Sequence, residues 1–211
     1  MADSSFHNNT PNPPSPWLIV MAGSVGGIHA VKTVLAALPA NLPAAVVVIQ
    51  HRTQRHDDRL KEVLGRATPW PVRLAESGER IEAGHVYLSR ADSHLTITPE
   101  HAFVYRDGSR IRFLRSSANP LFESAARVYD GHVIAVVLTG YGRDATDGVQ
   151  GVKAHGGTVI AQDPATSEQW SMPQSAIQSG AVDYVLPLSA IGPALDDLIH
   201  RRPVRAVAAA G

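Results

Sequence analysis

The sequence predicts a doubly wound α/β domain: a mostly parallel sheet with helices on both faces and a short antiparallel hairpin extension. Two observations support this prediction. Three continuous apolar runs rich in Val and Ile are typical of parallel strands covered on both faces, and they occupy residues 17–22, 44–49 and 133–138. Turn residues and then a helical pattern follow each run, as in strand–helix–strand crossovers, which are expected to be right-handed.

The first half of the chain begins with two such units. An apolar stripe from Ile28 to Leu38 predicts a helix that Pro39 ends. Residues 57–64 predict a second helix with an acidic first turn, and a short strand is predicted near residues 72–74. Between residues 84 and 105 short apolar pieces alternate with polar residues, which predicts antiparallel hairpins at one side of the sheet.

Crossovers resume in the second half. Apolar positions Leu121, Phe122, Ala125 and Val128 predict a helix before the strand at 133–138, and another helix follows through Val149 and Val152. The remaining predicted elements are a strand at 158–161, a short helix after Pro173, a strand at 183–186 and a helix at 189–200.

The length of 211 residues suits one large domain with tails. Residues 1–16 contain four prolines and have neither the basic start nor the apolar core of a secretory signal, so we expect a disordered N-terminal tail. The predicted domain comprises residues 17–201. The periodic pattern of apolar residues ends before residues 202–211, which we expect to form a frayed C-terminal tail.

Composition excludes several functional classes. Apolar residues make up 44% of the chain and charged residues only 18%, against an average near 25%, which indicates a globular protein. Lys plus Arg equals Asp plus Glu at 19 each, so no net field favours nucleic acid or an anionic membrane surface. The apolar runs are too short to span a bilayer. The absence of cysteine excludes thiol catalysis, disulfides and thiolate metal sites, and fits a reducing compartment.

The loop after the first predicted strand is the first candidate site. Its sequence AGSVGG, residues 22–27, has the small-x-Ser-x-Gly form of a nucleophile elbow, with Ser24 as the nucleophile. The Val25 amide and the helix N-terminus would face developing negative charge. A Gly-rich turn with Ser24 capping the helix is the structural alternative. A dinucleotide cradle is disfavoured, because the GxGxxG spacing is absent and Gln50-His51 ends the second strand where an acidic residue is expected.

His51 is the second candidate. It directly follows the second predicted strand, so it lies at the sheet edge where Ser24 should emerge if the two strands are near neighbours. A neutral imidazole there can take the serine proton. The alternative is a histidine that only closes a strand.

The third candidate lies in the loop at residues 141–148. Either Asp144 or Asp147 could orient the imidazole and complete a Ser-His-Asp set, and the other aspartate would then cap the following helix. The order Ser, His, Asp along the chain differs from the Ser, acid, His order of the α/β-hydrolases, which disfavours that family.

Two other clusters of charged residues and histidines lie close together in the sequence. A metal site from His51, His56, Asp57 and Asp58 lacks the HExxH motif or any comparable spacing. Three arginines, Arg52, Arg55 and Arg59, suit a solvated helix face or, alternatively, contact with an acidic protein substrate.

The ordered set of motifs resembles the catalytic domain of the chemotaxis protein-glutamate methylesterases from Trp17 to about Ile199. The matching pieces are GSVGG at 23–27, VVVIQH at 46–51, AESGERIEAGHVYL at 75–88, SSANPLFESAA at 116–126, VVLTGYGRD at 136–144 and SMPQSAI at 171–177. The resemblance implies that Ser24, His51 and Asp144 are the catalytic triad. It also implies an oxyanion site from the backbone of Val25 and Tyr141.

By the same resemblance, the expected reaction removes methyl esters from glutamate side chains of chemoreceptors, with glutamine deamidation as a second activity. The expected partners are the cytoplasmic domains of methylated receptors, the expected location is the cytoplasm, and no cofactor, metal, nucleic acid or membrane insertion is expected. The family usually begins with a phosphorylatable receiver domain, and the 16 residues before Trp17 are too few to form one. We therefore expect that receiver control is not encoded in this chain.

The chain departs from the family's usual pattern at several positions. Val25 stands in place of Thr, Arg52-Thr53-Gln54-Arg55 in place of Met-Pro-Pro-Gly, Asn119 in place of Asp, Tyr141 in place of Met and Ala145 in place of Gly. These changes affect the expected substrate choice more than the chemistry. The alternative functions are a receptor-binding signalling module of the same fold without turnover and, as a third interpretation, a nucleotide-binding oxidoreductase.

Overall fold

The computed structural model describes residues 16–51, 57–106 and 116–204. Its main sheet has seven strands, all in parallel pairs, and a separate sheet has two antiparallel strands. The strands are β1 (Trp17–Gly23), β2 (Ala44–Gln50), β3 (Val72–Leu74), β4 (Val86–Leu88), β5 (His94–Ile97), β6 (Phe103–Arg106), β7 (Val133–Val137), β8 (Thr158–Gln162) and β9 (Tyr184–Leu186). The helices are α1 (Gly27–Ala36), α2 (Asp57–Gly65), α3 (Asn119–Tyr129), α4 (Thr146–Ala154), α5 (Ser171–Gln178) and α6 (Leu188–Ile199).

The predicted doubly wound architecture is confirmed. The strand order is β3-β4-β2-β1-β7-β8-β9, so β1 lies in the middle with β2 on one side and β7 on the other. The order therefore reverses at β1. Loops leaving the carboxyl ends of strands on the two sides of such a switch point open a crevice, which is where ligands bind in folds of this type.

Continuous apolar strands in the sequence correspond to strands buried on both faces. In β1, Leu18, Val20 and Ala22 contact the layer that contains α3, α4 and α5. Ile19 and Met21 alternate with them and pack in the layer of α1, α2 and α6. Because each face of the sheet is covered, no position in the middle of the strand requires a polar side chain.

The prediction of hairpins throughout residues 84–105 is wrong for its first strand. Strand β4 lies between β2 and β3 in the main sheet and is parallel to both, and among the strands of the described residues β5 and β6 alone form an antiparallel pair. Tyr87 explains the error, since it is completely buried while its hydroxyl accepts a hydrogen bond from the Glu82 N–H at 3.0 Å. A tyrosine whose hydroxyl has a hydrogen-bond partner can be a core residue. All three residues of β4 are therefore buried, and the strand does not alternate between polar and apolar positions.

Helix α5 begins earlier than predicted. Helix α5 begins at Ser171, so Pro173 lies in its first turn, where proline is tolerated because the N–H has no helical partner.

In the predicted C-terminal tail, Arg202 forms ion pairs with Asp196 and Asp197. Residues 205–211, like residues 1–15 of the predicted N-terminal tail, lie outside the described part of the chain.

The helices in the described ranges are short. None of them is long and apolar enough to cross a lipid bilayer.

Candidate active site

Ser24 occupies a sharp turn between β1 and α1. Its N–H donates to the carbonyl oxygen of Thr139 at 3.0 Å, and its own carbonyl accepts hydrogen bonds from the Gly27 N–H and from Gln50 Nε2. Gly26 adopts a φ of 75°, a left-handed conformation that a residue with a side chain adopts only with strain. The turn is therefore fixed from both neighbouring strands, because Thr139 follows β7 and Gln50 ends β2.

Gly140, in the loop after β7, packs directly against Ser24. A Cβ atom on Gly140 would lie 2.7 Å from the Ser24 Cβ and 2.5 Å from the Met172 Sδ. Both distances are far below van der Waals contact. Only glycine lets this loop approach the serine so closely, so Gly140 helps to define the position of the Ser24 side chain.

Thr139 connects the turn to the segment that precedes α5. Its hydroxyl donates to the carbonyl oxygen of Val25 at 3.0 Å and accepts from the Gln169 N–H at 2.8 Å. The Gly140 N–H in turn donates to the Gln169 carbonyl at 2.9 Å. Hydrogen bonds therefore connect the Ser24 turn, the loop after β7 and the segment before α5.

His51 and Asp144 are brought together. His51 Nε2 and Asp144 Oδ2 lie 2.8 Å apart, and the His51 backbone N–H donates to the Gly23 carbonyl at 3.0 Å. Because Nε2 faces a carboxylate, which only accepts hydrogen bonds, Nε2 carries the proton in the neutral imidazole. Nδ1 is then the nitrogen with a free lone pair, which a general base requires.

The carboxylate of Asp144 is buried, with 3% of the residue exposed. Oδ2 accepts from the Ala118 N–H at 2.8 Å as well as from His51, and Oδ1 accepts from the Ser117 hydroxyl at 2.6 Å. Burial alone would raise the pKa of Asp144. The hydrogen bond and the electrostatic attraction from His51, together with the hydrogen bonds from Ser117 and Ala118, hold that pKa below its ordinary value. Asp144 is therefore a charged acceptor for the imidazole.

Asp147, the other predicted candidate, does not bond to His51 in the structure. It is exposed in the first turn of α4, where its carboxylate accepts a weak hydrogen bond from Asn119 Nδ2 at 3.4 Å. The predicted capping role is not observed either, since the residue at the N-cap of α4 is Ala145. A carboxylate in the first turn still interacts favourably with the helix dipole.

Ser24 and His51 lie at the same sheet edge, and the structure does not join their side chains by a hydrogen bond. Ser24 is half-buried, and its hydroxyl has no hydrogen-bond partner among the described residues. The register of the sheet explains their proximity, because Gly23 and Gln50, the residues before them, are paired across β1 and β2. The predicted neighbourhood of the two strands is thus confirmed.

The two residues predicted for the oxyanion site are Val25, within the Ser24 turn, and Tyr141, in the loop after β7. Val25 is exposed, and its N–H has no acceptor within the described ranges. Tyr141 has an exposed side chain, and the next residue, Gly142, donates its N–H to the Ser171 hydroxyl at 3.0 Å. The Val25 amide is consequently free to bind an incoming oxygen atom.

Sequence reasoning gave no role to several residues that shape the site: Gln50, Ser117, Thr139 and Gly140. They act through hydrogen bonds to distant loops or through the lack of a Cβ atom, and neither leaves a periodic signal in the sequence. Ser117 lies two residues before α3, which begins with Asn119 and Pro120, so the sequence indicates that Ser117 belongs to the segment that leads into a helix. The sequence gives no indication of its contact with Asp144, which lies 27 positions away.

No group of three or more potential ligands capable of holding a metal occurs in residues 16–51, 57–106 and 116–204. The side chains of residues 52–58, which include Arg52, Arg55, His56, Asp57 and Asp58, lie outside the described part. Arg59 is exposed.

Known proteins are similar to this chain in both sequence and fold. A relative from Leptospira interrogans, provisionally named a protein-glutamate methylesterase/protein-glutamine glutaminase, is 39% identical over 173 residues, covering 82% of this chain and 90% of the relative. A Cupriavidus metallidurans enzyme, protein-glutamate methylesterase/protein-glutamine glutaminase 2, is 39% identical over 88% of this chain, which spans 55% of that enzyme. The crystal structure of the Thermotoga maritima CheB methylesterase catalytic domain superposes with a TM-score of 0.84 at 35% identity, covering 86% of this chain and 98% of that domain.

The family assignment rests on nearly the whole domain. The family description "CheB methylesterase" matches residues 19–195, a segment that includes the Ser24 turn, the His51–Asp144 pair and, apart from the first two residues of β1, every strand of the main sheet. The chain belongs to the CheB methylesterase family.

Proposed function

We propose that this protein is a serine hydrolase that removes methyl esters from glutamate side chains of chemoreceptors, with Ser24, His51 and Asp144 as its catalytic triad. The observation that supports this most directly is the 2.8 Å contact between His51 and the buried carboxylate of Asp144, next to the Ser24 turn. The names of the relatives supply the substrate class, and they also make glutamine deamidation a second expected activity.

The mechanism follows the chemistry of a serine esterase. Ser24 Oγ attacks the ester carbonyl while His51 Nδ1 takes the hydroxyl proton. His51 returns that proton to the departing methoxide, and methanol leaves. Asp144 stabilises the imidazolium ion and keeps the ring oriented through Nε2. A water molecule activated by the same imidazole then hydrolyses the acyl-enzyme and releases the glutamate carboxylate.

This sequence of steps requires Ser24 Oγ to approach His51 Nδ1 when substrate binds. Such contacts are often long in unliganded enzymes and tighten in the Michaelis complex. The backbone of the turn is held by Thr139 and Gln50, so in this proposal the Ser24 side chain makes the approach by rotating about its own χ1 bond.

The oxyanion site in this proposal uses backbone amides. The Val25 N–H has no acceptor among the described residues, and it belongs to the residue directly after the nucleophile, as in other nucleophile elbows. The backbone at Tyr141 is the second proposed donor. The substrate is the cytoplasmic part of a methylated receptor, and the proposed chemistry uses side chains and backbone amides of this chain.

Methanol release from a methyl-esterified chemoreceptor tests the proposal. The unaltered protein is compared with Ser24→Ala, His51→Ala and Asp144→Asn at matched folded fractions. Release by the unaltered protein with large losses in all three variants supports the esterase and its triad. Covalent labelling by a serine-directed phosphonate, abolished in Ser24→Ala, supports the nucleophile separately.

The opposite result is equally informative. If several methylated receptors bind to the folded protein without methanol release, the esterase proposal is wrong. The protein would then be a receptor-binding module of the same fold.

A further inference from the structure

The carboxylate of Asp144 is held at both of its oxygen atoms. Oδ2 is occupied by His51 Nε2 and the Ala118 N–H, each at 2.8 Å, while Oδ1 receives the Ser117 hydroxyl at 2.6 Å. Ser117 is completely buried. A carboxylate bound only through Oδ2 could turn about its terminal torsion, which has a broad energy minimum. The Ser117 contact removes that freedom.

The proton of the Ser117 hydroxyl has a defined direction. The hydroxyl oxygen lies 3.3 Å from the Asn119 N–H, which donates to it, so the single hydroxyl proton is available for Asp144. The Ser117 backbone is also fixed, because its N–H donates to Nδ1 of the buried His94 at 3.1 Å. His94 begins β5, so the antiparallel hairpin anchors the segment that contacts the aspartate.

We propose that Ser117 is a positioning residue that fixes the plane of the Asp144 carboxylate and, through it, the orientation of the His51 ring. This inference rests on the proposed esterase function. Ser117 lies outside the three predicted catalytic residues, and its hydroxyl contacts the carboxylate oxygen opposite the one that binds His51. Its loss would leave a buried, charged oxygen with one hydrogen bond fewer and a more mobile aspartate.

A second buried serine provides a matched control. Ser124, on α3, also has a buried hydroxyl, which donates to the Pro120 carbonyl at 2.7 Å and accepts from the Ile97 N–H at 3.0 Å. Its partners are all backbone groups. Replacing Ser124 by Ala therefore removes a comparable set of hydrogen bonds while leaving Asp144 and its partners unchanged.

The first experiment measures kcat and KM for methanol release by Ser117→Ala, Ser117→Thr and Ser124→Ala at matched folded fractions. Loss of a hydrogen bond to a charged group predicts a decrease of about 10- to 100-fold in kcat for Ser117→Ala, with little change in KM. Ser117→Thr keeps a hydroxyl and should recover most of that loss. Ser124→Ala should retain the unaltered kcat. Equal losses of kcat in Ser117→Ala and Ser124→Ala would overturn the proposal, since they would indicate a general structural effect.

The second experiment does not depend on turnover. The ionisation of Asp144 is followed by carbon NMR of its side-chain carboxyl group in the unaltered protein, Ser117→Ala and Ser124→Ala. Removing the Ser117 donor should move the titration midpoint of Asp144 to higher pH, whereas Ser124→Ala should leave it unchanged. A midpoint unmoved in Ser117→Ala would refute the role of Ser117. If the midpoint moves but the unaltered protein releases no methanol, the contact is supported and the esterase proposal alone fails.

Discussion

His51 Nε2 and Asp144 Oδ2 lie 2.8 Å apart although 93 positions separate the two residues in the chain. They follow β2 and β7, the two strands that flank β1 in the parallel sheet, so their loops leave the sheet at the same edge. Ser24 follows β1 itself, between them. The strand order thus brings three loops to one crevice without any local sequence contact between them.

Replacing Asp144 by Asn should lower kcat strongly, because an amide cannot stabilise the imidazolium ion and favours the wrong tautomer of His51. A decrease of about 10⁴-fold is expected from the corresponding change in other serine hydrolases. Steady-state methanol release measures it. Asp147→Asn is the matched control, since Asp147 is an exposed aspartate three residues later, in the first turn of α4, and forms no hydrogen bond with His51. Comparable losses in both variants would contradict the assignment of Asp144.

Asp144 should also make stability depend on pH in acid. Its pKa is lower in the folded protein than in the unfolded chain, so ionised Asp144 stabilises the fold at all pH values above its unfolded pKa of about 3.9. That contribution is lost as the pH falls below about 4 and passes through the folded pKa. Urea unfolding between pH 7 and pH 2 should therefore show a smaller acid-induced loss of free energy in Asp144→Asn than in the unaltered protein. Parallel curves for the two proteins would exclude this role.

Gly140→Ala should impair catalysis by displacing Ser24. The new methyl group would lie 2.7 Å from the Ser24 Cβ, and a displacement of about 1 Å at a nucleophile can reduce kcat by about 100-fold. Gly151→Ala, in α4, is the control because its nearest neighbour, Glu123 Cγ, would lie at 3.4 Å, an ordinary contact. That variant should keep its activity and gain about 0.5–1 kcal/mol of stability. Normal turnover by Gly140→Ala would show that the turn tolerates movement.

Gly26→Ala and Gly78→Ala separate backbone strain from crowding. Both glycines have positive φ, 75° and 86°, so each alanine should cost about 1–2 kcal/mol of unfolding free energy. At Gly26 the added Cβ would also lie 2.9 Å from the Glu168 Cβ and 3.1 Å from the Thr139 Cγ2, whereas Gly78 faces open space. Gly26→Ala should therefore lose about 1–3 kcal/mol more in urea unfolding. Equal losses would mean that the Ser24 turn relaxes around the extra methyl group.

The sequence pattern was most informative where burial is uniform. Strands such as β1 and β2 are apolar at nearly every position because both faces of the sheet are covered, and this property is visible without coordinates. Strand β4, in contrast, has no such uniform apolar pattern in the sequence. Three residues are too few to distinguish alternation from continuous burial, and Tyr87 looks half-polar although its hydroxyl is satisfied inside the core.

By itself, the sequence determined the class of fold, the Ser24 turn and the identity of the loops that contain His51 and the two candidate aspartates. These features depend on local composition: small residues in a tight turn, apolar runs in strands, and polar residues at strand ends. Among the residues alone, Asp144 and Asp147 were equivalent, and only resemblance to a family separated them.

Only the tertiary structure shows that Asp144 lies within hydrogen-bonding distance of His51, that Ser117 holds that aspartate, and that Gly140 packs against Ser24. The physical reason is that these are contacts between loops distant in the chain, set by strand order and by helix α3, which presents the Ala118 N–H to Asp144 at its N-terminal end. A local pattern can specify where a loop begins. It does not specify which side chain of another loop will be within hydrogen-bonding distance.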